Sequence, residues 1–120
     1  ARPCATRAEI DRLLEQAIAD SPGALLAVPL ADTLKRAQAG SMTVESTIPR
    51  VDLWRALTPQ VFRYGALQDA LAPTDEAQAI EWAGGAATLV AGSPTNLKIT
   101  TAADLALAAA ILQQRAGSSA

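Results

Sequence analysis

The apolar run from Ala24 to Leu30 constrains this chain more than any other stretch. It is far shorter than the ~20 residues that a membrane-spanning helix needs. It also lacks the polar alternation of a strand with one wet face. Such a run is the pattern of a strand buried on both faces, which requires a covering layer on each side. Pro29 predicts that this strand stops or leaves its sheet there. One covering element lies just upstream. Ile10, Leu13, Leu14, Ala17 and Ile18 fall on a single helical stripe between Arg7 and Ala19. Thr6 and Glu9 stand at capping-box spacing at its start, and Ser21-Pro22-Gly23 ends it.

The rest of the chain continues the alternation. Between Ala31 and Val51, Ala39-Gly40-Ser41 reads as a turn joining two polar, partly alternating stretches, Thr33–Arg36 and Thr43–Ile48. A two-stranded ribbon of this kind is marginal alone in water, so it is expected to lean on another surface. After Leu53-Trp54, the run Thr58-Pro59-Gln60 reads as a loop, followed by a helix from about Arg63 to Leu71. Thr74 is placed to cap a further helix running to Trp82, which Gly84-Gly85 closes. Ala87–Ala91 and Leu97-Lys98-Ile99 are short strand candidates. Thr101 with Asp104 opens a last helix from Ala102 to about Gln114. Truncating Leu105 on that helix would cost roughly 2–5 kcal/mol if the position were buried. Alternating helices and buried strands give an α/β class. About three strands is thin for an open parallel sheet.

Composition narrows the chemistry. The formal net charge is −2, and the aromatics are two Trp, one Tyr and one Phe. There is no massed cationic face for a nucleic-acid backbone and no platform for stacked bases, so no nucleic acid is expected as a partner. Without histidine, a Ser-His-Asp triad and Cys-His zinc sites are excluded. The one cysteine, Cys4, reads as a small buried apolar group in a reducing cytoplasm. No apolar stretch is long enough to cross a membrane, and the first residues lack the apolar core of a signal peptide.

Hydroxyl and cationic side chains recur just past strand ends and before helices. Thr33 and Lys35 follow the first strand, Thr58 precedes a helix, Thr74 caps one, and Asn96 and Lys98 adjoin Thr100 and Thr101. Lysine and arginine charge, threonine hydroxyls and helix N-termini together suit a phosphate, and open α/β sheets bind ligands at their strands' carboxyl ends. Each residue also has a structural explanation when taken singly. Thr74 and Thr101 are helix caps, and Lys35, Arg36 and Arg50 are solvated hairpin charges. Asp75-Glu76 diverge by about 100° on a helix and do not easily close on one metal ion. No glycine-rich triphosphate loop of the G-x-x-x-x-G-K type is present.

Taken as an ordered set, these segments resemble a known family. Ala1-Arg2-Pro3-Cys4, Pro29–Arg36 (PLADTLKR), Ile48-Pro49-Arg50, Leu53–Gln60 (LWRALTPQ), Thr74–Ala77 and Gly92–Leu107 (GSPTNLKITTAADLAL) resemble 2-C-methyl-D-erythritol 4-phosphate cytidylyltransferase across essentially the whole chain. The resemblance implies the carboxy-terminal half, residues 1–120, of a Rossmann-like three-layer nucleotidyltransferase sandwich, with a protruding β-hairpin arm over 31–51. It implies a cytoplasmic enzyme of non-mevalonate isoprenoid biosynthesis that joins CTP to methylerythritol phosphate, releases pyrophosphate and uses Mg2+. By analogy Arg50 and Lys98 are the catalytic cations that orient the attacking phosphate. Arg2, Thr33, Thr58 and Thr74 line the substrate pocket. The arm would form a homodimer and carry Thr33 and Arg50 to the partner's site.

The resemblance also implies an amino-terminal half, with the CTP-binding glycine-rich loop and its arginine and lysine, that this chain does not include. Magnesium ligands are not expected within the chain. Ala1 opens mid-motif without a methionine, so a fragment is expected, inactive by itself. Two other functions stay open at this point. One is a cytidylyltransferase for another polyol phosphate such as ribitol 5-phosphate. The other is a non-catalytic α/β interaction module.

Overall fold

The computed structural model describes residues 1–18, 21–66 and 86–118. Helix α1 (Arg7–Ile18) precedes strand β1 (Gly23–Pro29), hairpin strands β2 (Leu34–Ala37) and β3 (Val44–Ile48), strand β4 (Trp54–Phe62), strand β5 (Thr88–Ala91) and helix α2 (Ala102–Ser118). The helices expected at 63–71 and 74–82, with Asp75-Glu76 and Gly84-Gly85, lie wholly or mostly outside the described residues.

The apolar run becomes the centre of the sheet. In the order β4-β1-β5, β1 is the middle strand, antiparallel to β4 and parallel to β5. Gly23 to Val28 are all buried and Pro29 emerges, as a strand covered on both faces requires. The sheet is mixed rather than parallel because β4 is a strand where a loop was expected. Thr58-Pro59-Gln60 has a turn-like composition, but pairing with β1 passes from Leu25↔Gln60 to Ala27↔Ala56 with an irregularity between them. Pro59 thus sits at a break in the ladder, where a missing N–H costs no pairing. The expected strand at Leu97–Ile99 does not form. That segment is irregular, and the Ile99 amide instead donates to the Ala1 carbonyl at 2.9 Å.

Helix α1 meets the sheet through Leu13, whereas Ile10 and Leu14 of the expected stripe are 38% and 48% exposed. Leu13 is fully buried against Ala24, Leu26, Val28, Leu57 and Val90, with Val61 at the margin. Side chains such as Leu13 and Leu26 contribute roughly 1.5–3 kcal/mol each through burial. The capping box is present in both directions. The Thr6 amide donates to Glu9 Oε1 at 3.0 Å and the Glu9 amide to Thr6 Oγ1 at 3.2 Å.

Helix α2 starts as its sequence predicts. Asp104 Oδ2 accepts the amides of Thr100 and Thr101, both at 3.0 Å, and the Asp104 amide donates to Thr101 Oγ1. Its docking is narrow. Ala108 is buried, whereas Leu105, Leu107 and Leu112 are 59%, 55% and 41% exposed. The burial on which a large Leu105 effect depends is therefore absent. The helix is tied instead to the amino-terminal segment, through Arg115 donating to the Cys4 carbonyl at 2.8 Å. Cys4 is fully buried and unpaired, as expected for a small apolar group.

The hairpin β2–β3 pairs Leu34↔Ile48, Lys35↔Thr47 and Arg36↔Ser46. Every residue from Ala31 to Gly40 is exposed. Its turn holds Gly40 at φ +69°, a conformation that side chains rarely adopt. Lys35 Nζ crosses the ribbon to Thr47 Oγ1 at 2.7 Å.

Candidate functional site

The carboxyl ends of the parallel pair β1 and β5 open into a cleft of about 420 Å³, lined among others by Pro29, Leu30, Asp32, Arg55, Gly92 and Pro94. This is where an open α/β sheet receives ligands. Several chain segments meet here, and buried hydrogen bonds fix their arrangement.

Asn96 is the junction. It is 1% exposed. Its Nδ2 donates to the Thr58 carbonyl at 2.7 Å, and its own carbonyl accepts Arg2 Nη1 at 2.7 Å. Its amide closes a tight turn onto the Ser93 carbonyl at 3.0 Å. Asn96 thereby joins Arg2, Thr58 and the segment bearing Lys98, which lie far apart in sequence. Asn96 Oδ1 is buried with no hydrogen-bond partner among the described residues.

Glu9 secures the other end of this loop. The same carboxylate that caps α1 accepts the Ser93 amide on Oε2 at 3.1 Å, and the residue is 2% exposed. Gly92 fits between. A Cβ there would lie 3.0 Å from Leu57 Cδ1 and 3.2 Å from Glu9 Oε2, so a side chain would press on the core and on the carboxylate at once. Arg12 adds a bond from α1 to the Ala91 carbonyl at 2.9 Å. Residues 91–96 are thus held from α1, from β4 and from the amino-terminal segment.

The predicted site residues divide into two groups. Arg2 and the backbone carbonyl of Thr58 belong to the network around Asn96, and Lys98 follows two residues further along the chain, exposed. Thr33 and Arg50 stand at the root of the hairpin, both exposed. Arg50 donates to the Ala31 carbonyl, and Ala31 lines the cleft. Thr74 lies outside the described residues. The sequence singled out neither Asn96 as a junction nor Glu9 as more than a cap. Composition reveals no such long-range role, although the capping spacing did locate Glu9. Arg55, which the sequence offered only as part of the run Leu53–Gln60, was given no role.

Arg55 and Asp32 bring opposite charges to the cleft. The Arg2 guanidinium is held below the usual arginine range, first by burial and then by the charge of Arg55. Among the described residues no three His, Cys, Asp or Glu side chains gather where they could hold a metal ion. Nor is any described helix long and apolar enough to cross a membrane.

The family model for IspD, 2-C-methyl-D-erythritol 4-phosphate cytidylyltransferase, matches residues 1–114. A protein of that name from Dechloromonas aromatica (strain RCB) is 54% identical over 119 residues, covering 96% of this chain and 52% of the relative. Its namesake from Azoarcus sp. (strain BH72) is 52% identical, covering 98% and 51%. A crystal structure of 4-diphosphocytidyl-2C-methyl-D-erythritol synthase superposes with a TM-score of 0.84 at 44% identity, covering 93% of this chain and 52% of that one. The chain spans about half the length of the curated relatives it matches.

Proposed function

Because the chain belongs to the 2-C-methyl-D-erythritol 4-phosphate cytidylyltransferase family, we propose that it supplies the acceptor-phosphate side of an enzyme joining CTP to methylerythritol phosphate. The observation that carries this reading is the buried junction at Asn96. It gathers Arg2, Thr58 and the Lys98 segment beside a cleft at the strands' carboxyl ends. A site built this way can hold a phosphate in one orientation, which is most of what such a transfer requires.

In the proposed reaction, an oxygen of the acceptor's phosphate attacks the α-phosphorus of CTP. A new P–O–P link forms, the bond between the α-phosphorus and its bridging oxygen breaks, and pyrophosphate leaves. Lys98 and Arg50 hold and orient the attacking phosphate and offset charge as the two anionic groups approach. Arg2, Thr33, Thr58 and Thr74 line the same substrate pocket. CTP would be held mainly by the half of the protein that this chain does not span, and magnesium by ligands there. The hairpin over 31–51 would serve as a dimer arm in a cytoplasmic homodimer. Its exposed, mostly polar surface supports that role, since little of it is needed for the core of its own chain.

The test is turnover by the full-length protein with CTP and either methylerythritol phosphate or ribitol 5-phosphate. The expected result is a strong preference for methylerythritol phosphate. Arg50→Ala and Lys98→Ala should each lower turnover by at least about tenfold, the worth of one charged contact, while changing the unfolding free energy by no more than about 0.5 kcal/mol. Wild-type turnover in both variants, or preference for ribitol 5-phosphate, would overturn the assignment.

A further inference from the structure

Arg55 occupies an unusual position for a charged residue. The ladder sets it directly opposite Val28, and residues directly opposite in an antiparallel pair share a face of the sheet. Val28 belongs to the apolar cluster under α1. The row of core side chains therefore ends in a guanidinium where the sheet opens into the cleft, and Arg55 lines that cleft. No carboxylate among the described residues forms an ion pair with Arg55. Asp32 lines the same cleft without pairing with it. A second guanidinium, Arg2, is close enough for the two charges to repel. Two like charges held together without a counter-charge are unfavourable unless an anion lies between or beside them.

We infer that Arg55 is a phosphate-binding residue of the cleft, acting with Arg2 on the phosphate of a small phosphorylated polyol. The shape of the cleft suits that class of ligand. Its cationic side comes from β4, and the Asp32 carboxylate offers acceptors for hydroxyl groups. The guanidinium fork grips phosphate oxygens in a fixed geometry that lysine does not reproduce. The inference rests on the acceptor-side reading above for which of the two substrates is bound.

Arg55 is exposed, so Arg55→Ala and Arg55→Lys should both fold. In the full-length protein, Arg55→Ala should raise the KM for methylerythritol phosphate about tenfold, as one lost charge-assisted hydrogen bond would, and leave the KM for CTP unchanged. Arg55→Lys should recover only part of the loss. Inorganic phosphate, titrated directly by protein NMR, should bind the Arg55→Ala variant about tenfold more weakly than wild type. Active enzyme with unchanged acceptor KM and unchanged phosphate affinity in Arg55→Ala would overturn the inference and leave the proposed function standing. A rise confined to the KM for CTP would also overturn it. Arg55-dependent phosphate binding in a protein that transfers no cytidylyl group would uphold the anion site and sink the proposed function instead.

Discussion

Replacing Glu9 by glutamine changes one oxygen to an amino group in a fully occupied carboxylate. Oε1 accepts the Thr6 amide and the Thr6 hydroxyl, both at 3.0 Å, and Oε2 accepts the Ser93 amide at 3.1 Å. Glutamine keeps the volume and loses the charge. Whichever way the amide turns, its NH2 faces a backbone N–H whose hydrogen bond among the described residues is the one to this carboxylate: Ser93 in one rotamer, Thr6 in the other. With the residue 2% exposed, water cannot readily serve as substitute. One charge-assisted bond is lost, a donor is stranded, and the surviving bonds become neutral. The expected destabilisation is about 2–4 kcal/mol. Urea unfolding followed by circular dichroism measures it, with an unchanged m-value showing that the denatured state is the same. Hydrogen exchange at the Ser93 amide should quicken beyond what global stability alone predicts. A loss below about 1 kcal/mol with Ser93 still protected would refute the claim that this carboxylate clamps the loop.

Asn96→Ala should cost about 1–3 kcal/mol by stranding the Thr58 carbonyl. Asn96→Asp should cost more in urea titrations near neutral pH, since it turns an acidic oxygen towards that carbonyl. Equal stability of wild type and Asn96→Asp would contradict the junction. Leu105→Ala should cost about 1 kcal/mol or less in this chain, because the residue is 59% exposed and recovers little transfer energy on folding; thermal unfolding checks it. The Asp104 carboxyl is held below the usual carboxylate range by hydrogen bonds from the Thr100 backbone and side chain, and then from Thr101. Its stabilisation of the α2 start is therefore complete above the ordinary aspartate value and fades as pH falls through the depressed one. Amide exchange at Thr100 and Thr101 should quicken over that acidic window, and Asp104→Asn should flatten the dependence.

Local chemistry made much of the fold legible. The unbroken apolar run gave β1, the capping spacings at Thr6/Glu9 and Thr101/Asp104 gave both helix starts, and Gly40 gave the hairpin turn. Strand β4 was obscured because a proline between a threonine and a glutamine has a turn's composition. Only the break in pairing opposite Leu26 makes it compatible with a ladder. Leu97–Ile99 was misjudged for a complementary reason. Two apolar residues around a lysine suit a strand locally, but the available partner is a single carbonyl at Ala1. At the site, cations and hydroxyls could be named from residue type. The groups that bring them together could not, since the bonds from Asn96 to Thr58 and from Glu9 to Ser93 span 38 and 84 residues.

The bond from Arg115 to the Cys4 carbonyl spans 111 residues, and that from Arg2 to Asn96 spans 94. On a ribosome, the Arg2 guanidinium cannot make this bond until residues near 96 have followed it out. The last helix then ties that meeting shut. Closing such long loops is slow and entropically costly, so the cleft matures late, after the sheet beneath it. A chain halted before Arg115 could build its apolar centre and still lack the tie at Cys4. The amino-terminal segment is in this way secured last, by a helix far from it in sequence.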